Sequence, residues 1–201
     1  MMINQGILFS YAVIGFFAIF IFLFYMLIKG YKEIKWLKKE PCNFEFKYRG
    51  KKYWYSRSVS TVAFLFKKDS YGEWCVLANK RGKGTPDYNG YWNCPCGYLE
   101  HNMTLEENAV KEIYEECGIN LNPKMLKMDS VNSDPSENRQ NVTARFVAIL
   151  PTKEEYKLSS KHSEKNEVDD IRFIKLSEID DFKWAFGHKY LIKEFAQKYL
   201  Q

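Results

Sequence analysis

Charged side chains are missing from the first 28 residues, and histidine is scarce throughout, with three among 201 residues. Cysteine is scattered: Cys42, Cys75, Cys94, Cys96 and Cys117 form an odd set without a C-x-x-C pair. Those shortages argue against a zinc site or a disulfide framework and fit a reducing compartment. Internal repeats and low-complexity tracts are absent too, which sets aside solenoids and disordered arrays. Charge of one sign is not in large excess. The net charge of +5, with a pI near 8.8, owes much to one short lysine run, so it gives no argument for a nucleic-acid partner.

The uncharged start is itself informative. From Ile7 to Ile28 the chain reads ILFSYAVIGFFAIFIFLFYMLI. As a helix this run would extend about 33 Å at roughly 1.5 Å per residue, enough for a hydrocarbon core of about 30 Å. A cleaved signal peptide fits less well, because no basic segment precedes the run and no small-x-small site follows it. Then comes KGYKEIKWLKKE, with Lys29, Lys32, Lys35, Lys38 and Lys39. Lysines on that side predict a single transmembrane helix over 1–29 with the rest of the chain in the cytoplasm. The basic juxtamembrane linker, 30–41, has two open readings: a flank lying on anionic headgroups, or a solvated helical connector.

After Pro41 the pattern alternates. FEFKY and KKYWYSR around Arg49-Gly50 predict a β-hairpin. SVSTVAFLFKK and EWCVLANKR are further strands, GKGTPDYNG is a loop, and Tyr91 to Leu99 is short and extended. Later strands are expected at Lys127 to Val131, Asn141 to Leu150 and Asp170 to Leu176, before a helical end. Strands before, between and after helices predict a mixed α/β sandwich over 42–201.

One helix is unusual. In TLEENAVKEIYEECG, Thr104 and Glu107 make a capping box and Gly118 suits a left-handed C-terminal cap, so a helix is predicted from Leu105 to Cys117. Leu105, Ala109, Val110, Ile113 and Cys117 form its apolar face, while Glu107, Lys111 and Tyr114 belong on the exposed side. Glu112, Glu115 and Glu116 crowd the seam between the two. Like charges at i,i+4 repel, and burial worsens the cost. Two explanations stay open for the helix alone: a solvated acidic face, or oxygen ligands for a hard divalent ion.

The residues upstream complete a longer pattern. From Gly97 to Ile119 the chain resembles the Nudix box: Gly97, then Lys111-Glu112 at the Arg-Glu place, Ile113, the Glu115-Glu116 pair, and Gly118-Ile119. Leu77 to Arg81, Trp92-Asn93-Cys94-Pro95 and IRFIKLSEI resemble the family's neighbouring segments, so the resemblance runs from about Ser58 to the C-terminus. Three positions depart from it. Met103 stands at the first glutamate, Lys111 at the arginine, and Cys96 at a glycine.

The resemblance implies a Nudix-type α/β/α sandwich with a mixed sheet, and hydrolysis of a nucleoside diphosphate linked to another moiety with Mg²⁺ or Mn²⁺. It implies metal ligands at Glu112, Glu115, Glu116 and the backbone of Gly97 or Cys96, with Glu115 and Glu116 catalytic. Lys80 and Arg81 are candidates to clamp phosphate, against the alternative of a plain surface pair; Arg139 is a weaker one. A separate base is sought among Glu164, Glu167, Asp169 and Asp170. Tyr88 and Tyr91 are candidates to stack on a base. Trp92 reads as core, His188 as packing of the terminal helix, His101 as solvent-exposed, and His162 has no context. Beside the enzyme stand two alternatives, a nucleotide-sensing module at the membrane and a structural adaptor that leaves the acids unexplained.

Overall fold

The computed structural model describes residues 19–29, 44–137 and 140–201, and the chain divides into two compact units, Met1–Ser56 and Arg57–Gln201. In the first unit, residues 19–29 form helix α1, with Phe20 and Phe24 stacked one turn apart. Among the described residues no helix is long and apolar enough to cross a membrane. The remainder of the expected span over 1–29 and the linker 30–41 fall largely outside the described residues, as does Arg139. Strands β1 (Phe44–Tyr48) and β2 (Lys51–Tyr55) form the expected hairpin. Its turn residues Arg49 and Gly50 both have positive φ, the backbone hand that matches strand twist in a two-residue hairpin. The hairpin lies within the first compact unit.

The second unit is built on a seven-stranded mixed sheet. Its spine is β3 (Ser58–Lys68), beside β4 (Trp74–Arg81), with β5 (Trp92–Asn93) and β6 (Cys96–Tyr98) as short additions. The order is β5-β4-β3-β8-β7, where β7 is Lys127–Asn132 and β8 is Asn141–Ile149. β6 pairs with β3, and β9 (Val168–Lys175) pairs with β4. Among the described strands, β3 and β8 form the one parallel ladder, in register from Ser58↔Asn141 to Phe66↔Ile149.

Alternation along β3 explains the layers. Ala63 and Leu65 face one way, packed with Ala109, Ile113 and Cys117 of helix α2 (Leu105–Cys117) and with Phe146 of β8. Val62, Phe64 and Phe66 face the other way, packed with Ile192 and Phe195 of helix α3 (His188–Tyr199). Because strand side chains switch faces with period two, a sheet apolar at every position is covered on both sides. The expected α/β/α sandwich is what forms. Trp92 is core, packed edge-on against Phe182.

Candidate active site

Helix α2 begins and ends where its caps direct. The Thr104 side chain accepts from the Glu107 N–H, and the Glu107 carboxylate accepts from the Thr104 N–H at 2.8 Å. Gly118, at φ 78°, turns left-handed and donates to the Tyr114 carbonyl. Inside the helix, Asn108 is fully buried and was not singled out by the sequence. Its amide donates to Thr61 on β3 at 2.9 Å, and its carbonyl accepts from the Glu100 N–H at 3.1 Å. That residue fixes the helix and the preceding loop to the sheet. Its only sequence signal is an amide on the apolar stripe.

The three glutamates occupy three different environments. Glu116 is 3% exposed, and its carboxylate accepts from the Cys96 backbone N–H at 3.1 Å. The backbone of Cys96 thus presents a donor to the helix. Burial, reinforced by the nearby charges of Glu112 and Glu167, pushes Glu116 well above the usual carboxylate range. Glu112 lies against Gly97, where any Cβ would collide with its carboxylate. That close approach is the physical reason for a glycine at this edge of the sheet. Burial raises Glu112 to about 7, with Lys111 opposing the shift.

Glu115 stands further out, 2.6 Å from the Lys111 ammonium. Lys111 is not on an exposed face as helical spacing suggested. Its side chain is 24% exposed and reaches Glu100 at 3.1 Å and Glu112 at 3.5 Å as well. Partial burial works against its charge, yet Glu115, Glu112 and Glu100 together hold it above the ordinary lysine range. The cation is drawn inward because three carboxylates outweigh the desolvation it suffers.

Part of this cluster borders a cleft of about 700 Å³, within the size that encloses a nucleotide-scale ligand. Glu116, Gly97 and Cys96 line it, together with Arg81, Glu164 and Glu167. Of the four late-loop acids, then, two reach the cleft. Asp169 packs near Gly82 and Asp170 pairs with Arg172. Glu167 is placed by backbone pairing, since Gly82 donates to its carbonyl and Gly84 to that of Asn166, each at 2.7 Å.

Beside Lys80 and Arg81 the register slips on the partner strand: Lys80 pairs with Asp170 and Arg81 with Val168, leaving Asp169 as the extra residue of β9. Arg81, at the end of β4, lines the cleft, buried, with its guanidinium 2.6 Å from Asp87 and 4.8 Å from the Phe186 ring centre. Lys80 pairs across to Trp92 and Asp170 and is outside the cleft lining. Tyr88 and Phe186 stand with ring centres 4.9 Å apart, both at positive φ. Holding two bulky residues in that sparsely populated backbone region costs energy that the surroundings must supply. Tyr91 touches Tyr88 edge-on.

At the other end of the cleft stands Arg145, which the sequence reading passed over. Its signal was there: in NVTARFVAI it is the lone charge on an otherwise uncharged interior strand. It meets Glu137 at 3.6 Å, and that carboxylate is 63% exposed. Between the two arginines lies His188, buried, whose Nδ1 accepts from the Cys94 N–H at 3.0 Å. Burial, with help from Arg145 and Arg81, lowers His188 to about 3 and keeps it neutral. His188 is packing, as expected. His162 stacks on Tyr114 and shares a hydrogen bond with its hydroxyl, and His101 is exposed. Cys75, Cys94, Cys96 and Cys117 are free thiols.

For a divalent ion, the structure supplies two converging carboxylates beside a backbone edge. Among the described residues no three His, Cys, Asp or Glu side chains already stand as a ready metal cluster. Glu115 is engaged by Lys111 instead. The donor chemistry nonetheless fits a hard cation, because Glu116 is buried next to two other acids with a single neutral donor in contact.

Comparison with known proteins agrees. An ADP-ribose pyrophosphatase of Methanocaldococcus jannaschii is 29% identical over 122 residues, which are 61% of this chain and 66% of that protein. The chain therefore spans just under two thirds of that relative. Among solved structures, the NUDIX domain of Shewanella oneidensis NrtR, crystallised with ADP ribose, superposes with a TM-score of 0.61 at 19% identity, covering 73% of this chain and 90% of that one. A bifunctional NMN adenylyltransferase/ADP ribose pyrophosphatase from Francisella tularensis, in complex with AMP and a Mn ion, gives 0.59 at 19% identity, covering 86% and 46%. The NUDIX domain family matches residues 56–195, and on that match the chain belongs to the Nudix family.

Proposed function

We propose that this chain is a Nudix pyrophosphohydrolase that cuts the diphosphate bond of a nucleoside diphosphate derivative with Mg²⁺ or Mn²⁺. ADP-ribose-like compounds are the first substrate class to test, in line with the name of the Methanocaldococcus relative. The observation that carries the reading is Glu116: 3% exposed, beside Glu112 and Glu167, and without a cationic partner in contact. A buried carboxylate so placed must either hold a proton or hold a cation. A pure binding site has no need of that expense.

Each residue takes a role from its position. Glu116 and Glu112 hold the ion, and the Cys96 N–H aims the Glu116 carboxylate. Such an ion, when bound, neutralises diphosphate oxygens and lowers the pKa of an attacking water. Arg81, steered by Asp87, meets phosphate, while Lys80 contributes only to the strand. Tyr88 and Phe186 take the base between or against their rings. Glu167 accepts a proton from water, with Glu115 the alternative base once Lys111 releases it. The substrate is a small molecule, not nucleic acid.

The domain is held to a membrane by residues 7–28 and their lysine flank, facing the cytoplasm. The uncharged start and the lysines after it support this. Extraction from membranes by detergent but not by alkaline carbonate is the expected outcome, and release by carbonate removes the anchor.

The catalytic test offers ADP-ribose to the full-length protein with and without Mg²⁺ or Mn²⁺, beside Glu116→Gln. Metal-dependent release of AMP, lost in the variant, is expected. A second reading, a sensor with little turnover, is favoured by one observation: Lys111 already occupies the carboxylates, with Glu115 at 2.6 Å. Tight ADP-ribose binding without hydrolysis selects it.

A further inference from the structure

The tip of the β1–β2 hairpin crowds Lys47, Arg49, Lys51 and Lys52 together with no acid among them. Register sets Lys47 directly opposite Lys52, which gathers positive charge on one face of the ribbon. On the other face Phe46 lies opposite Tyr53 with ring centres 5.6 Å apart. Exposure is 44% at Phe46, 56% at Tyr48, 42% at Tyr53 and 40% at Tyr55. A two-stranded ribbon is marginal by itself, and Tyr48 and Tyr53 remain partly open to solvent on it.

Clustered cations backed by tyrosine and phenylalanine match an anionic bilayer surface. Lipid phosphates pair with Lys and Arg, and amphipathic rings settle at the headgroup boundary. The hairpin also shares its compact unit with the apolar run, so a bilayer that takes up that run lies within reach of the chain just beyond it. We propose that the β1–β2 hairpin docks tip-first on an anionic lipid surface, with Lys47, Arg49, Lys51 and Lys52 on lipid phosphates and Tyr48 and Tyr53 at the headgroup boundary. The docking is independent of the hydrolytic reading.

Trypsin cuts after the very cations involved, which makes the test direct. Full-length protein is mixed with phosphatidylcholine vesicles, with or without phosphatidylserine, and digested briefly. Cleavage after Lys47, Arg49, Lys51 and Lys52 is quantified by mass spectrometry against cleavage after the exposed Lys157 and Lys161. With phosphatidylserine, tip cleavage should fall about tenfold and recover in high salt, as expected for several charges near an anionic surface. Lys47→Glu should keep the hairpin, since it places opposite charges across from each other, yet shrink the protection severalfold. Equal tip cleavage in both vesicle types overturns the proposal. Protection confined to Lys29–Lys39 overturns it as well, by giving the contact to the basic flank. Turnover of ADP-ribose does not enter the readout, so the two readings fail separately.

Discussion

Glu116 and His188 make an instructive pair. Both titrate, both are buried, and they sit in the helices on opposite faces of one sheet. Burial moves both toward neutrality, Glu116 upward and His188 down to about 3. The neutral imidazole meets its environment well, because a ring nitrogen accepts the Cys94 N–H. The glutamate has the Cys96 N–H in contact, two neighbouring acids, and the charge of Arg81 as a lesser offset. Burial alone therefore does not mark a functional group. A charge requirement that the protein leaves unmet does.

The sharpest way to break the comparison is Glu116→Gln. Turnover of ADP-ribose should fall by about 100-fold or more, the scale for losing a group that supports developing charge. The same variant should raise the melting temperature without metal, because it removes an uncompensated buried acid, and lose the rise that Mg²⁺ or Mn²⁺ gives. A melting temperature that drops in the variant would equate Glu116 with an ordinary buried polar group.

Next in size is Gly97→Ala. The new Cβ drives into the Glu112 carboxylate, so the metal-dependent thermal shift should shrink and turnover fall at least about tenfold, the range for misplacing a ligand's support. His188→Ala should instead cost about 1–3 kcal/mol in denaturant unfolding, by stranding the Cys94 N–H, with far less effect on metal response. Equal metal loss in both variants would erase the distinction.

The two groups also differ in pH sign. For His188, with its pKa depressed to about 3 from 6.5, stability is full above 6.5 and is lost as pH falls toward 3. For Glu112, raised to about 7 from 4.5, stability is full below 4.5 and is lost as pH rises toward 7. Added Mg²⁺ should recover the second loss and leave the first alone, a result read from melting curves across pH. The smallest effect belongs to Arg145→Ala, which should raise KM for ADP-ribose severalfold with kcat nearly unchanged, as loss of uniform binding does.

Much of this was legible from residue order because local rules and global fold agree. The capping box, the Gly118 cap and the apolar stripe together fix α2 to the residues predicted, and alternation in SVSTVAFLFKK names both layers of the core. What escaped was set by contacts between distant segments. Lys111 swings inward because Glu100, eleven positions earlier in the chain, joins Glu112 and Glu115 around it. Arg81 was among the phosphate candidates, but the register slip opposite it, from Asp170 to Val168 of β9, comes from strand pairing that period-two reasoning cannot foresee. Arg145 was visible as a misplaced charge, but its meaning depended on Phe186 and Glu137 closing around the same cavity.

The lone parallel pairing in the sheet, β3 with β8, carries a consequence for biosynthesis. Ser60 finds Thr143 across 83 positions of chain, so a nascent chain on the ribosome holds one edge of its longest apolar strand unpaired until β8 has been translated. Such late-closing topologies fold slowly and expose sticky edges meanwhile. A stop codon anywhere before Asn141 should accordingly yield inclusion bodies instead of a smaller enzyme.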